Sequence, residues 1–336
     1  MQMKIILVAG GSGGHIYPCL EMAKFFKNQG NEVLLCGCND SMEERIYKEN
    51  NLPFIGLDIT RKKISSFLKN RKKVAKIYDE FKPDAILLFG NYISVSFAIV
   101  AIIKKIPIYL HEQNVIYGSA NMLLGVFAKR IYLSLPIEKN PYRRKTLIVG
   151  NPKGDTKSNL VKFKNKYNVL IVMGSLGSSS INKVLKEFVN IVDNSVDFHI
   201  VVGKKYYDDF ISKVMVNDNV HLYPYINNLS DYVKSCDVFV SRAGATTISE
   251  ILSNGAASII IPSPYVKNNH QHLNAKYLEK NNACILIEES SLDATKLKET
   301  INELINNYSK RLNLKINARK LAILDSKKKM YMDMVN

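Results

Sequence analysis

The sequence has no stretch able to cross a bilayer. Its longest apolar run, residues 93–103, contains two serines and stops at Lys104-Lys105, short of the roughly 20 residues that a spanning helix requires. The apolar N-terminal stretch turns to glycine after Ala9, too soon for a secretory leader. Cysteine is scarce, with five scattered residues. An odd, dispersed set does not make a disulfide framework and fits a reduced, cytoplasmic compartment. Cys36 and Cys38 are close, but no second pair completes a zinc site. Two common phosphate-binding signatures are also missing. There is no G-x-x-x-x-G-K-S/T loop, and the G-x-G-x-x-G fingerprint that begins at Gly11 and Gly13 fails at Ile16. The next strand-like run ends in Gly37-Cys38-Asn39, with no acid placed for a ribose.

Acidic residues are outnumbered, 30 against 47 Lys and Arg, for a formal net charge of +17. Part of the excess is local. Arg61, Lys62, Lys63, Lys69, Arg71, Lys72, Lys73 and Lys76 fall close together with no acid among them, and Ile64, Phe67, Leu68, Val74 and Ile77 are interleaved. Such a run is a nucleic-acid patch, a contact with an anionic membrane surface, or a solvated face. No nucleic-acid motif accompanies it, so nucleic acid is not an expected partner.

What the chain does have is concentrated at residues 10–18, Gly-Gly-Ser-Gly-Gly-His-Ile-Tyr-Pro. Residues 5–8 read as a buried strand and 19–26 as the helix after it. Glycines between strand and helix let the backbone turn sharply and approach a ligand. The helix end adds open N–H groups and a positive dipole end, so the predicted tenant is a phosphate or sugar diphosphate. His15 is the one group in this stretch suited to moving a proton near neutral pH. The competing reading is a tight turn with no ligand.

A length of 336 residues fits two domains. Strand-like apolar runs at 4–9, 33–36, 54–57, 85–89, 108–111, 131–133 and 147–149 alternate with helical stretches, as in a parallel sheet buried on both faces. Residues 150–154 read as a linker, and the pattern restarts at 169–173, 198–202, 220–223, 238–241, 258–261 and 284–287. Two doubly wound sheets place polar loops at a cleft. His111-Glu112-Gln113-Asn114 is one such loop, or an ordinary surface loop. Residues 241–250 form another, where Glu250 can take both hydroxyls of a ribose. Thr247 to Glu250 also reads as a plain capping box. Residues 269–275 offer amides for sugar hydroxyls, while His270 and His272, two apart, do not share a helix face.

Six segments in order resemble the MurG family of N-acetylglucosaminyltransferases over nearly the whole chain. They are G-G-S-G-G-H-I-Y-P (10–18), H-E-Q-N (111–114), G-N-P (150–152), G-S-L-G (174–177), S-R-A-G-A-T-T-I-S-E (241–250) and H-Q-H-L-N-A (270–275). The resemblance implies an α/β fold of two Rossmann-like domains in the GT-B glycosyltransferase architecture, with the active site in the interdomain cleft. The acceptor- and membrane-binding domain would span 1–152 and the UDP-sugar-binding domain 153–336, with the last helix a candidate to pack back on the first domain. The implied reaction is inverting, β-1,4 transfer from UDP-N-acetylglucosamine to undecaprenyl-diphosphate-linked muramyl-pentapeptide, in peptidoglycan synthesis. It would run at the cytoplasmic face of the cell membrane, with the protein peripheral and 61–77 on the anionic surface.

By the same resemblance, Ser12, Gly13 and Gly14 line the cleft, and Asn114 contacts the donor. Ser175 touches the diphosphate and Ile226 contacts uracil through its backbone. Ala245, Thr246, Thr247, Ile248, Ser249 and Glu250 hold diphosphate and ribose, while Gln271 and Asn274 read the sugar hydroxyls. His15 or Glu112 is the base. No Asp-x-Asp is present to clamp a metal on the diphosphate, so neither metal nor cofactor is expected. The chain departs from the family pattern at Gly154, at Leu176 and over residues 90–96 and 200–204. The alternatives are a GT-B enzyme diverged toward another lipid acceptor, or a UDP-sugar epimerase.

Overall fold

The computed structural model describes residues 2–59, 64–155, 158–163, 167–174 and 177–336, and the side chains of 64–69 are outside the description. The chain divides into two compact units, Met1–Asp155 with Ile323–Asn336, and Thr156–Ala322. Among the described residues, no helix is long and apolar enough to cross a membrane.

The first unit opens with β1 (Lys4–Val8), α1 (Gly13–Asn28), β2 (Glu32–Cys38), α2 (Met42–Glu49), β3 (Phe54–Leu57) and α3 (Ile64–Phe81). It continues with β4 (Ala85–Leu88), α4 (Tyr92–Ile103), β5 (Ile108–Glu112), α5 (Ser119–Leu124), β6 (Arg130–Leu133) and β7 (Thr146–Ile148). The strands form one parallel sheet in the order β3-β2-β1-β4-β5-β6-β7. Successive residues of β1 feed opposite cores: Ile6 and Val8 face one apolar cluster, Ile5 and Leu7 the other. That two-sided burial is why the strands read as continuous apolar runs.

The second unit runs β8 (Tyr167–Val172), α6 (Ser179–Phe188), β9 (Val196–Val201), α7 (Tyr207–Ile211), β10 (Val220–Tyr223) and α8 (Leu229–Ser235). Then come β11 (Val238–Ser241), α9 (Ala245–Asn254), β12 (Ser258–Ile260), α10 (His270–Lys280), β13 (Ile285–Leu286), α11 (Ala294–Asn306) and α12 (Tyr308–Leu321). Its parallel sheet has the order β10-β9-β8-β11-β12-β13. In both sheets the order reverses direction beside the first strand, the arrangement that opens a crevice at the strands' carboxyl ends.

The last helix, α13 (Ser326–Val335), belongs to the first unit. Met330 and Met334 enter its core, and Tyr331 meets the rings of Phe25 and Phe26 edge-on. Asp333 accepts from Tyr132 Oη at 2.8 Å and from Arg130 at 3.1 Å. Residues 150–154, expected as a linker, are tied in: Gly150 O accepts from Ser326 Oγ, and Pro152–Asp155 form a short 3-10 turn.

Two local expectations are corrected. The first helix starts at Gly13, not at residue 19, with Pro18 inside it. The proline costs only the bond to the Gly14 carbonyl, and the glycines become the first helical turn. In α3, Val74 and Ile77 are core residues against the sheet, not apolar groups free to enter a bilayer. Helical periodicity turns that stripe inward and leaves Arg71, Lys72, Lys73 and Lys76 exposed. The earlier part of the basic stretch, Arg61, Lys62, Lys63 and the side chains through Lys69, lies outside the described residues.

Candidate active site

In the first unit the site is built where β1, β4 and β5 end. His15 N and Ile16 N bond to Ser12 O at 3.0 and 3.1 Å, so the amides of Gly13 and Gly14 precede the bonded ladder. Ser12 is the N-cap and makes no side-chain cap. These are the donors that a helix end offers an anion. The turn before them is locked. Gly11 has φ +85°, and a Cβ there would lie 2.0 Å from Asn91 Nδ2. Asn91 in turn donates to Gly10 O at 2.6 Å. The buried Glu43 accepts from Gly11 N and Cys38 N. Nothing in the local sequence marks Asn91 or Glu43 for this work, because their partners are on other strands.

His15 Nδ1 lies 2.9 Å from Gln113 Oε1. The glutamine's other end donates from Nε2 to Phe89 O (3.0 Å) and His111 O (3.2 Å), with His111 Nδ1 at 3.1 Å. Those carbonyls can only accept, so Nε2 is fixed toward them and Oε1 toward His15. His15 must then donate from Nδ1, which leaves the lone pair of its neutral form on Nε2. His111 is fully buried, and burial pushes its imidazole down to about 4. It stays neutral and donates from Nε2 to Gly150 O at 3.3 Å. Gly90, with φ +93°, lies against His15: a Cβ there would come 3.3 Å from Cε1.

Glu112 has a different character. It is 1 % exposed. Oε1 accepts from Gln113 N, Asn114 N and Asn114 Nδ2, and Oε2 from Gly118 N and Asn121 Nδ2, all between 2.9 and 3.2 Å. Five donors saturate a carboxylate. Its geometry is that of a loop anchor, holding Asn114 in place.

In the second unit, β11 delivers the chain to α9, whose N-cap is Gly244. Ala245 is therefore the first helical residue, Thr247 the third and Glu250 the sixth. The capping-box reading of Thr247 to Glu250 is overturned, since Thr247 is already inside the helix. Ile248, Ser249 and Glu250 are buried, and Thr246 and Thr247 are half-buried at the helix opening. Arg242, which the sequence reading left without a role, clamps this loop. It pairs with Glu289 at 2.6 Å and donates to Ile261 O (3.1 Å) and Ser178 Oγ (2.9 Å). One buried guanidinium thus ties the β11–α9 turn to the start of α6. Ser175, in the β8–α6 turn, lies outside the described residues.

Asn274 is fully buried and donates to Ala243 O at 3.1 Å. Gln271 Oε1 accepts from Ser263 N at 2.9 Å. Both amides therefore brace the loops beside α9. Ile226 follows β10, with its side chain buried. His270 turns to Lys267 O and His272 to Glu288, so the two do not converge.

One surface feature was not legible as such in the sequence. Ile99, Ile103, Leu123, Val126 and Phe127 are exposed on α4, α5 and the turn after α5, between 39 % and 61 %. The helices pack on each other, and exposed Lys105 and Lys129 flank them. Exposed large apolar side chains gathered on two neighbouring helices are the mark of an interaction surface.

Residues 5–133 match the glycosyltransferase family 28 N-terminal domain, and residues 168–330 match the family 28 C-terminal domain. The UDP-N-acetylglucosamine--N-acetylmuramyl-(pentapeptide) pyrophosphoryl-undecaprenol N-acetylglucosamine transferase of Thermoanaerobacter sp. (strain X514) is 32 % identical, over 98 % of this chain and 98 % of that protein. The chain belongs to the MurG branch of glycosyltransferase family 28. The Bacillus subtilis (strain 168) transferase of the same name is 31 % identical, again over 98 % of each. The crystal structure of Acinetobacter baumannii MurG has a TM-score of 0.81 at 25 % identity and covers 98 % of both chains. The MurG-family fold of two Rossmann-like domains, GT-B in architecture, is thus the fold of this chain. Spinosyn rhamnosyltransferase SpnG, at 14 % identity and TM-score 0.75, shares the fold alone.

Proposed function

We propose that this MurG-family chain transfers N-acetylglucosamine from UDP-N-acetylglucosamine to N-acetylmuramyl-(pentapeptide) pyrophosphoryl-undecaprenol, converting lipid I to lipid II in peptidoglycan synthesis. The observation that carries this reading is the match, along both units, to relatives of that activity. The acceptor and membrane would belong to the first unit and the UDP-sugar to the second.

The transfer is a single displacement. The acceptor's 4-hydroxyl attacks C1 of the sugar, the C1–oxygen bond to the diphosphate breaks, and the configuration inverts. His15 takes the hydroxyl proton on Nε2, the nitrogen that the bond to Gln113 leaves basic. A positioned base of this kind supplies about 10²–10⁴ in rate. Glu112 holds the loop that carries Gln113 and Asn114. The departing diphosphate is stabilised by the opening of α9 at Ala245, Thr246 and Thr247, with Ser175 as a further donor, and Glu250 takes the ribose hydroxyls. Helix amides aimed at the developing charge replace the metal that a carboxylate pair would hold.

By its likeness to the MurG relatives we place the protein on the cytoplasmic face of the membrane, where the apolar patch of α4 and α5 and the basic face of α3 would hold it peripherally. The assay is release of UDP, dependent on a short-chain lipid-linked muramyl-pentapeptide, with and without EDTA. UDP release that needs the acceptor and survives the chelator supports the reading. Isomerised UDP-sugar without acceptor would mean an epimerase, and loss of turnover restored by magnesium would overturn the metal-free route.

A further inference from the structure

The second unit carries a polar cluster that the transfer does not use. β9 presents Asp197 and His199, two residues apart and so on one face of the strand. Their neighbours Val196, Phe198 and Ile200 enter the main core, which puts Asp197 and His199 on the opposite face. His221 of β10 is the register partner of His199 on the adjacent parallel strand. The two imidazoles stack at 4.8 Å between centroids, 24° apart. One oxygen of Asp197 and one nitrogen of each histidine all lie within 4.8 Å of one another, and Asp197 Oδ1 is 3.8 Å from His221 Nε2.

Two details separate this cluster from a chance grouping of polar residues. His199 is 7 % exposed, and among the described residues its Nε2 is buried without a hydrogen-bond partner. A buried ring nitrogen without a partner is costly unless something binds it. Its other nitrogen, Nδ1, lies 3.1 Å from Tyr223 Oη. A histidine that donates from one nitrogen and offers the other is the usual arrangement of a metal-ligating imidazole and its orienting partner. The rings of Phe163 and Tyr232 cover the site, at 4.7 and 6.0 Å from His199 between centroids.

We propose that Asp197, His199 and His221 form a binding site for a late first-row divalent cation, with zinc as the fitting ion. Two imidazoles and a carboxylate are a recurrent zinc donor set, completed by water as fourth ligand. With bonds of about 2.0–2.1 Å, tetrahedral donors stand about 3.3 Å apart, so binding draws Asp197 and His221 together by about 0.5 Å and any other pair by no more than about 1.5 Å. His221, half-exposed, is the one free to make that movement. Its role would be structural: β10 is the edge strand of the sheet, and a cation shared with β9 pins it just before the loop that carries Ile226. No step of sugar transfer passes through it.

The test uses the full-length, tag-free protein, stripped of metal and titrated with zinc alone and with cobalt(II) as a spectroscopic probe. One equivalent should bind, cobalt should show the intense visible bands of a tetrahedral site, and the unfolding midpoint should rise. Zinc at one hundred times its Kd should shift the unfolding equilibrium by about 100-fold. His199→Gln and Asp197→Asn are buried changes and risk misfolding, so the deciding variant is His221→Asn. It should fold, turn over substrate as the wild type does, and lose the zinc-dependent rise in midpoint. If the wild type takes up no stoichiometric zinc, or His221→Asn binds it equally well, the site does not exist.

Discussion

His15 Nδ1 and Gln113 Oε1 lie 2.9 Å apart, and the direction of that bond is decided at the far end of the glutamine. Phe89 O and His111 O hold Nε2, so the amide cannot turn over without setting its oxygen against those two carbonyl oxygens. Gly150 O, His111, Gln113 and His15 thus form a row of neutral groups, each fixing the proton position of the next. His15, the base proposed above, sits at the end of that row.

The first prediction follows from this row. Gln113→Leu should lower kcat by about 10–100-fold, because the tautomer of His15 is no longer selected, while KM for the donor stays within a factor of two or so. His15→Gln should lower kcat by about 10²–10⁴ and remove the acidic limb of the pH–rate profile. Gln113→Glu keeps an acceptor facing His15 but sets its other oxygen against the Phe89 and His111 carbonyls, so it should recover little of the loss. Equal effects on kcat and KM in all three would mean the row only supports the loop.

Glu112 gives the complementary prediction. Glu112→Gln swaps one oxygen for an N–H₂ that faces backbone donors. Leaving one or two buried donors unmet costs about 1–3 kcal/mol each. Urea unfolding should therefore show a clear loss of stability, while kcat of the folded fraction falls far less than in His15→Gln. A fully stable Glu112→Gln with kcat down by a thousandfold would make Glu112 the base instead.

Much of this architecture is legible in the sequence, and the reason is burial on both faces. The parallel strands read as unbroken apolar runs, and residues 54–57, 220–223 and 238–241 coincide with strands β3, β10 and β11. The first glycine turn is legible because Gly11 needs a left-handed backbone with no room for a side chain. What could not be read is whatever depends on pairing across the chain. His15 and Gln113 are 98 residues apart. Glu43 and Asn91 look like surface residues until the strands bring them to the turn. Asp197 and His199 are hidden at the edge of an apolar run, where alternation puts them on the face opposite the core. The basic stretch misled for the same reason: the interleaved Val74 and Ile77 belong to the inward stripe of α3.

Stability should fall with acid below neutrality, and His111 sets the window. Its folded value, about 4, lies below the ordinary 6.5 because burial disfavours the charged ring. The unfolded chain therefore binds the proton first. The stabilisation is complete above about pH 6.5 and is lost as pH falls toward 4, at about 1.4 kcal/mol per pH unit for this one proton. Urea unfolding free energies from pH 7 to 4 should show this slope, and His111→Gln should make it shallower by one proton. An unchanged slope in that variant would show that His111 does not carry the dependence.

Glu250 is the test of the donor side. It is 6 % exposed at the sixth position of α9 and is not part of a capping box. A pair of charge-assisted hydrogen bonds to a ribose is worth about 1.5–3 kcal/mol, so Glu250→Ala should weaken UDP binding by roughly 10–150-fold. Calorimetry on the folded variant reads this directly. Affinity equal to the wild type would restrict Glu250 to packing within the unit.

The last prediction concerns how the protein meets a membrane. Two surfaces of the first unit are available, and they differ in chemistry. Arg71, Lys72, Lys73 and Lys76 are exposed on α3, with the apolar side chains Val74 and Ile77 turned inward. That face can only attract anionic lipid, at about 1 kcal/mol per basic group, and salt screens it. The patch on α4 and α5 is apolar: Leu123 is 58 % exposed, and Phe127, just after α5, is 52 % exposed. Inserting it gains transfer free energy that salt does not screen, up to about 1.5–3 kcal/mol for each large side chain fully buried. Lys72→Glu with Lys73→Glu should therefore weaken sedimentation with anionic vesicles at low salt and have little effect at high salt. Leu123→Ser with Phe127→Ser should weaken it about 10–100-fold at any salt, because both groups are already in water in the free protein and their loss leaves the fold intact. Turnover of a water-soluble acceptor should be unchanged in both variants. If the serine variant sediments like the wild type, the apolar patch is not the insertion surface, and attachment rests on charge alone.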